Sequence, residues 1–442
     1  MMTTEQAHLA YLAAYPQYAA ELPGASSLWS QAFRQSGWRN FSEHGFPGNR
    51  EEEWRYTNLA ALNKTLYLPK PAPQLAAGSL EAYRLQKAWS VVLVNGRYVE
   101  YLSRLTGLPD SVRIRSLSQA LQQPEPALQN RLGQAVSDNE HSLVAFNSAW
   151  CSDGLWLEVA ANTVLDKPIQ ILHIVTEADA LAASRNILQI NSGAELEVVE
   201  TYIGSADRYL TVAVNECFLE ANASLTMYKL QAEAANASHF GGTYVKQGRD
   251  SRFTQHNFAL GAALARTDIH SDLQQAATCS LNGLYVGSGR QHIDNHTRIN
   301  HLQPHGVSRE YYKGILDQRA RCVFQGRVVV AQAAQKTDSE MNNRNLLLAD
   351  SAEVDSKPQL EIYADDVKCS HGLTVGQLDE KSLFFLQSRG IDPASARNIL
   401  TFAFANEMLD KVEAPELKAL LFKQLLAHFP AVSADVGLAL EL

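Results

Sequence analysis

Cysteine is sparse in this 442-residue chain, and no two of its cysteines have the close spacing of a chelating motif. The five (Cys151, Cys217, Cys279, Cys322 and Cys369) are odd in number, widely spaced and never form CxxC. That pattern suits a reducing compartment and argues against a zinc or iron–sulfur site built from four cysteines of this chain. Long apolar runs are missing too, so nothing reaches the roughly 18–20 residues a membrane helix needs. Glu5, Gln6 and His8 interrupt the N-terminal stretch where a secretion signal would carry its apolar centre. The expectation is a soluble, cytoplasmic protein. Nor is there a basic excess: 38 Lys and Arg stand against 47 Asp and Glu, a formal charge of −9. Neither nucleic acid nor an anionic membrane is an expected partner. GxxxxGK[ST], GxSxG and HExxH are all absent, which removes the anchors of the familiar nucleotide-binding, serine-hydrolase and zincin readings. The glycine-rich run at 283–289 leads into Arg-Gln-His amid strand texture and reads as strand rather than phosphate cradle.

Apolar residues make up 46% of the chain and charged residues 19%, enough for a large core. The length calls for two or three units or one repeat array. Residues 1–140 read as a helix-rich domain with helices over 28–41 and 116–132, a linker at 69–73, and one hairpin over 89–99 turned by Asn95-Gly96. Residues 141–375 change to strand-like alternation. A small residue recurs there after a turn, at Ala194, Ala223, Ser251, Ala277, Ala320 and Ala352, in steps of 29, 28, 26, 43 and 32. Strand repeats without intervening helices suggest a parallel β-helix, with a β-sandwich as the alternative. The 43-residue step suggests an insertion around 287–310. Cys279 and Cys322 share one repeat position with Leu196, Leu225, Phe253 and Val354 and read as small core hydrophobes. From 376 helix returns: Asp379 leads a helix ending before Gly390, Asp392 caps a helix over 393–412, and Pro415 starts another with a Leu417, Leu420, Leu421, Leu425 stripe. The 393–412 helix is apolar over most of its circumference, which suits a partner contact and burial within the chain equally.

Two segments hold chemistry. Four histidines, His292, His296, His301 and His305, lie in one stretch. In an extended strand the first two share one face and the last two the other, so they read either as a split metal set or as polar residues on a strand. Cys369-Ser370-His371 is sharper. An extended backbone points thiol and imidazole the same way, with Asp365-Asp366 just upstream. Both ligands suit iron, but two cannot complete a cluster, so a working site needs another chain. The same spacing also fits a buried cysteine beside a surface histidine.

Residues 334–391, with KCSHG at their centre, closely resemble the hallmark region of the SufB/SufD family of iron–sulfur assembly proteins. Residues 310–330, the 294–301 segment and NREEEWRYTNL at 49–59 are similar to the same family. The KCSHG run is the D-type form. The resemblance implies a right-handed parallel β-helix core (141–375) flanked by N-terminal and C-terminal helical domains. It also implies a non-catalytic scaffold subunit of the SufBCD complex that serves cluster assembly and iron acquisition. By carry-over, His371 and the less certain Cys369 would meet a nascent iron–sulfur cluster, held transiently and shared with SufB. The C-terminal helical domain (376–442) would bind the SufC ATPase, with Phe384, Phe385, Leu400 and Phe404 as candidate contacts. The family also admits a flavin in the assembled complex. The rival readings are a β-helix carbohydrate-active enzyme and a homodimer acting alone.

Overall fold

The computed structural model describes residues 4–428 apart from 124 and 139–140. From Asp153 onward, strands alternate between two sheets, and between the two end coils each pairs in parallel with the strands one coil before and after it. Leu210 of strand Leu210–Leu219, for example, registers with Leu181 on one side and Ser238 on the other. The chain is mainly β, a parallel β-solenoid of about 8 turns with helices at both ends. Hydrogen bonds run from coil to coil, so neither sheet needs the helical crossover that separate parallel strands require. Among the described residues no helix is long and apolar enough to cross a membrane.

The corners explain the repeat. Gly193, Asn222, Asp250, Ala276, His305 and Lys336 all take positive φ just before a strand of one sheet. The residue after each is small and buried, as at Ala194, Ala223, Ser251 and Ala277. The expected insertion at 287–310 does not exist. Strands Thr278–Gly287, His292–His301 and Val307–Leu316 follow one another as ordinary coil members. The 43-residue step joins different corners instead: Ala277 precedes a strand of one sheet, whereas Ala320 and Ala352 precede strands of the other. Gly306 holds the skipped position. For the same reason Cys279 shares its lane with Leu225 and Phe253, while Cys322 lies in the opposite sheet beside Val354. Both cysteines are fully buried, as expected of small core residues.

The lumen is filled with side chains and is partly polar. There the buried Glu233 carboxylate lies 2.7 Å from His239, while on the outer face the fully buried Arg185 pairs with Glu216 at 2.8 Å beneath the N-terminal segment, where either charge alone would be costly. The flanking segments cover opposite outer faces. Helices Thr4–Ala19 and Leu28–His44 gather an aromatic cluster, in which Tyr11 meets Phe41, Phe46, Phe146 and Trp150 edge-on, and pack it on Leu181, Leu210, Phe240 and Leu264. On the other sheet, helices Pro393–Leu409 and Pro415–His428 lay Phe402, Met408, Leu417 and Leu421 against Tyr228, Phe258 and Leu284.

Asn95 and Gly96 both take positive φ in the hairpin turn, as a type I′ turn requires. Asp379 and Asp392 cap their helices as expected, and Pro393 takes the first turn of the second. The helix expected over 116–132 is instead two short turns, Leu117–Ala120 and Pro126–Gln129. Ser116 caps the first, and Pro126, which has no N–H to continue a helix, opens the second.

Candidate functional site

The solenoid is open at its last coil. Strands Glu353–Ile362 and Lys368–Gly376 end their sheets, and among the described residues no strand pairs beyond them. Lumen-facing lanes that are buried elsewhere come to the surface here: Ile362, Leu373 and Val375 are 41%, 42% and 49% exposed. Cys369 and His371 occupy two of these lanes. Cys369 pairs with Ser339 and His371 with Met341, both of which face the lumen. The i, i+2 expectation therefore holds, and thiol and imidazole rise from the same face at the mouth. Cys369 is half-buried against the core, and His371 is exposed.

Partial burial pushes the Cys369 thiol up, a bond from the Ser339 backbone lowers it, and the Asp338 charge raises it further. Asp365 and Asp366 lie in the turn before the strand. Asp366 is already paired with Lys336, so the acidic run is not a free ligand set. Among the described residues no three His, Cys, Asp or Glu side chains converge as a metal site would require. The mouth thus offers a thiol and an imidazole of the donor types that suit soft or borderline metals, an apolar rim and strand edges unpaired among the described residues.

The histidine-rich stretch comes apart. His292 and His296 share the outer face as expected, covered by the N-terminal segment, where Thr57 bonds His292 (2.9 Å) and His296 contacts Asp294 (2.9 Å). His301 and His305 do not share a face: His301 points into the lumen, and His305 lies exposed in the next corner at φ 65°. The 283–289 run is mostly strand, as expected. Gly283 lies beneath the Tyr312 ring, where a Cβ would stand 2.1 Å from a ring carbon.

Of the candidate helix residues, Phe384 and Phe385 are 73% and 56% exposed on helix Glu380–Ser388. Leu400 and Phe404 are half-buried, and Lys313 Nζ sits 4.2 Å from the centre of the Phe404 ring.

Glu310 escaped the sequence reading. It lies two strands below His371 in the same lane, with Met341 between them. Among the described residues no group makes a well-formed hydrogen bond to either carboxylate oxygen, the Thr297 hydroxyl being the nearest candidate donor. Burial pushes this carboxyl up to about 7, and Thr297 across the lumen partly offsets the rise. The alternation in Ser308-Arg309-Glu310-Tyr311-Tyr312 could have flagged it as inward.

Comparison with known proteins agrees with this architecture. Residues 173–404 match the family model described as SUF system FeS cluster assembly, SufBD core domain, and residues 5–171 match the SufBD protein N-terminal region. An iron–sulfur cluster assembly SufBD family protein of Synechocystis is 33% identical over 85% of this chain and 86% of its own length. The iron–sulfur cluster assembly protein SufD of Escherichia coli is 32% identical over 85% of this chain and 87% of its own. A chloroplastic protein of Arabidopsis thaliana is 28% identical over 89% and 85%. The chain belongs to the SufB/SufD family of iron–sulfur cluster assembly proteins.

Proposed function

We propose that this chain is a non-catalytic, D-type scaffold subunit of an ATP-driven assembly complex. It pairs through the open end of its solenoid with a B-type subunit, SufB, and through its C-terminal helices with the SufC ATPase. The observation that carries this reading is the mouth itself: two ligand side chains, too few for a cluster, stand on the last strand of a sheet whose edge is unpaired and rimmed by Leu373, Val375 and Ile362. Unpaired strand edges favour pairing with another strand, and a second solenoid would bring the missing ligands. Iron and sulfide are then substrate, gathered between the two chains, with His371 and Cys369 as this chain's ligands.

Exposed Phe384 and Phe385 suit a second apolar contact on a short helix joined directly to the strand that carries His371. In this mechanism, closure of the ATPase subunits pulls on these helices and opens the paired mouths to iron, which is this chain's part in iron acquisition. A flavin, where the complex holds one, belongs to the assembled state. The family relationship argues against the carbohydrate-active alternative.

The test is co-expression with B-type and ATPase subunits, followed by anaerobic iron–sulfide reconstitution. His371→Ala is expected to leave the complex intact and abolish cluster absorbance. Full cluster yield from that variant would remove His371 from the site. A wild-type chain that elutes only as a homodimer would overturn the pairing.

A further inference from the structure

The two ends of the solenoid are finished differently. At the first coil both sheets close on antiparallel strands: Arg97–Tyr98 runs against Trp89–Val94, and Val112–Ser116 runs against Asp153–Val159. At the last coil no strand follows among the described residues, and the rim of Ile362, Leu373 and Val375 stays open. Proteins commonly cover such an edge with a helix or a loop. The coil period marks the segment that holds this place in the chain. Successive strands of the sheet that ends in Glu353–Ile362 begin at Leu264, His292, Arg321 and Glu353, in steps of 28, 29 and 32. One more step of that size falls at 381–385, inside helix Glu380–Ser388. The slot of the next coil is thus filled by a helix that carries two exposed phenylalanines and has no buried residue of its own.

The segment is rooted so that it can swing. Both of its ends meet one corner: Gly376 registers with Leu346, and Arg397, in the helix that follows, donates to the Leu348 carbonyl at 2.9 Å. That following helix is fixed to the sheet. Lys313 Nζ donates to the Phe404 carbonyl at 2.9 Å and pairs with Glu407, the Tyr311 hydroxyl donates to Glu407 at 2.6 Å, and Phe402 and Met408 are buried on the strands. A glycine stands on each side of the exposed helix, Gly376 before it and Gly390 after it. Nothing but chain neighbours lies within 4 Å of the place a Cβ would take at either, and Gly390 has φ 87°, which glycine adopts without strain. At about 1.5 Å per residue the helix is about 13 Å long, enough to span two sheets that stand about 10 Å apart.

We propose that helix Glu380–Ser388 is a removable cap on the mouth: in the chain alone it swings about Gly376 and Gly390 and lays Phe384 and Phe385 on the Ile362, Leu373 and Val375 rim, over Cys369 and His371. The exposed position is the open one. Burial of two aromatic rings against three aliphatic side chains favours closure, and the hinge glycines leave little to resist it. The regulation of the cap rests on reading Phe384 and Phe385 as the ATPase contact. The rings cannot serve both surfaces at once, so the ATPase subunit that engages them uncovers the mouth for the B-type partner.

The experiment measures a distance in the full-length chain by pulsed dipolar spectroscopy. Nitroxides are attached at Gln387→Cys on the helix and Asp365→Cys in the turn before the last strand, in a Cys369→Ser background. Cys151, Cys217, Cys279 and Cys322 are 0–1% exposed and stay unlabelled in a folded chain. With both rings present, two distances are expected, the shorter holding most of the population. Phe384→Ser with Phe385→Ser should lower the ratio of short to long by about tenfold or more. Gly376→Val, whose Cβ has free space in the open position, should lower it too by stiffening the hinge. A single long distance with both rings present, or a short one that survives their loss, would overturn the cap. Because this readout needs no partner, it is separable from the function proposed above. A cap that closes through its rings yet stays closed when the purified ATPase subunit is added would keep the cap and move the ATPase contact elsewhere.

Discussion

At the residue scale, the buried carboxyl of Glu310 sets how the solenoid responds to pH. A carboxyl held at about 7 binds its proton in the folded chain over a range where the unfolded chain has released it. Its contribution is therefore full below the ordinary carboxylate range and is lost as pH rises toward and beyond 7. The shift corresponds to about 3 kcal/mol by linkage. Glu310→Gln, which keeps the shape without the charge, is expected to flatten the fall in urea midpoint between pH 5 and 8 and to stabilise the chain at pH 8. Equal slopes in the two proteins would refute this. Glu310 was hidden in the sequence because its environment comes from residues about thirty positions away, such as Leu281 and Met341, whose pairing depends on the coil length. Cys369 and His371 were legible because their relation is local: two residues apart on one strand, they share a face whatever the rest of the chain does.

At the element scale, local chemistry decided what could be read. The Asn95-Gly96 turn and the caps at Asp379 and Asp392 each lie within a few residues of the element they shape, and each appears where expected. The helix expected over 116–132 failed because apolar spacing continued through a stretch where Pro126 starts a new turn. Helix Glu380–Ser388 shows the value of exposure that no sequence pattern supplies. It has no buried residue, and it leaves Phe384 and Phe385 open while Leu400 and Phe404 on the next helix are half-covered. Burying an exposed Phe at an interface contributes about 1.5–3 kcal/mol. Phe384→Ser with Phe385→Ser should therefore weaken binding of the ATPase subunit by at least about tenfold. Neither side chain supports the core, so the thermal midpoint should stay nearly constant. Calorimetric titration of the two proteins measures this, and unchanged affinity would move the ATPase contact elsewhere.

At the scale of the whole molecule, the strand texture and its roughly thirty-residue period made the solenoid legible, although the path of the chain between its two sheets did not. Repeats aligned on small residues mixed two corners, because both corners need a small buried residue where the chain turns into a strand. The seat of the N-terminal segment was less legible still, since it joins residues more than two hundred positions apart. Arg266 is fully buried, with its guanidinium 3.7 Å from the centre of the Trp54 ring, 2.9 Å from Asp268 and 3.1 Å from Asp294. It also donates to the Glu53 carbonyl, while Thr57 donates to Asp294 at 2.5 Å. One cation thus ties residues 53–57 to the outer face of the solenoid. Burial raises the Asp294 carboxyl, but His296 and Arg266 outweigh it and hold it down to about 2. Asp268 is held well below the usual range in the same way, by Arg266 and His141 against its own burial. Both depressed carboxyls give stability that is present above the ordinary carboxylate range and lost as pH falls from about 4 toward 2. Arg266→Met removes the cation and leaves two buried carboxylates unpaired, a change of about 3–5 kcal/mol for a broken buried pair. At pH 7 this variant is expected to lose that much stability in urea denaturation. It should also speed hydrogen exchange in residues 49–59 while exchange in the last coils stays unchanged. Wild-type protection of 49–59 in the variant would show that the aromatic cluster alone holds the segment and that the ionic seat is incidental to it.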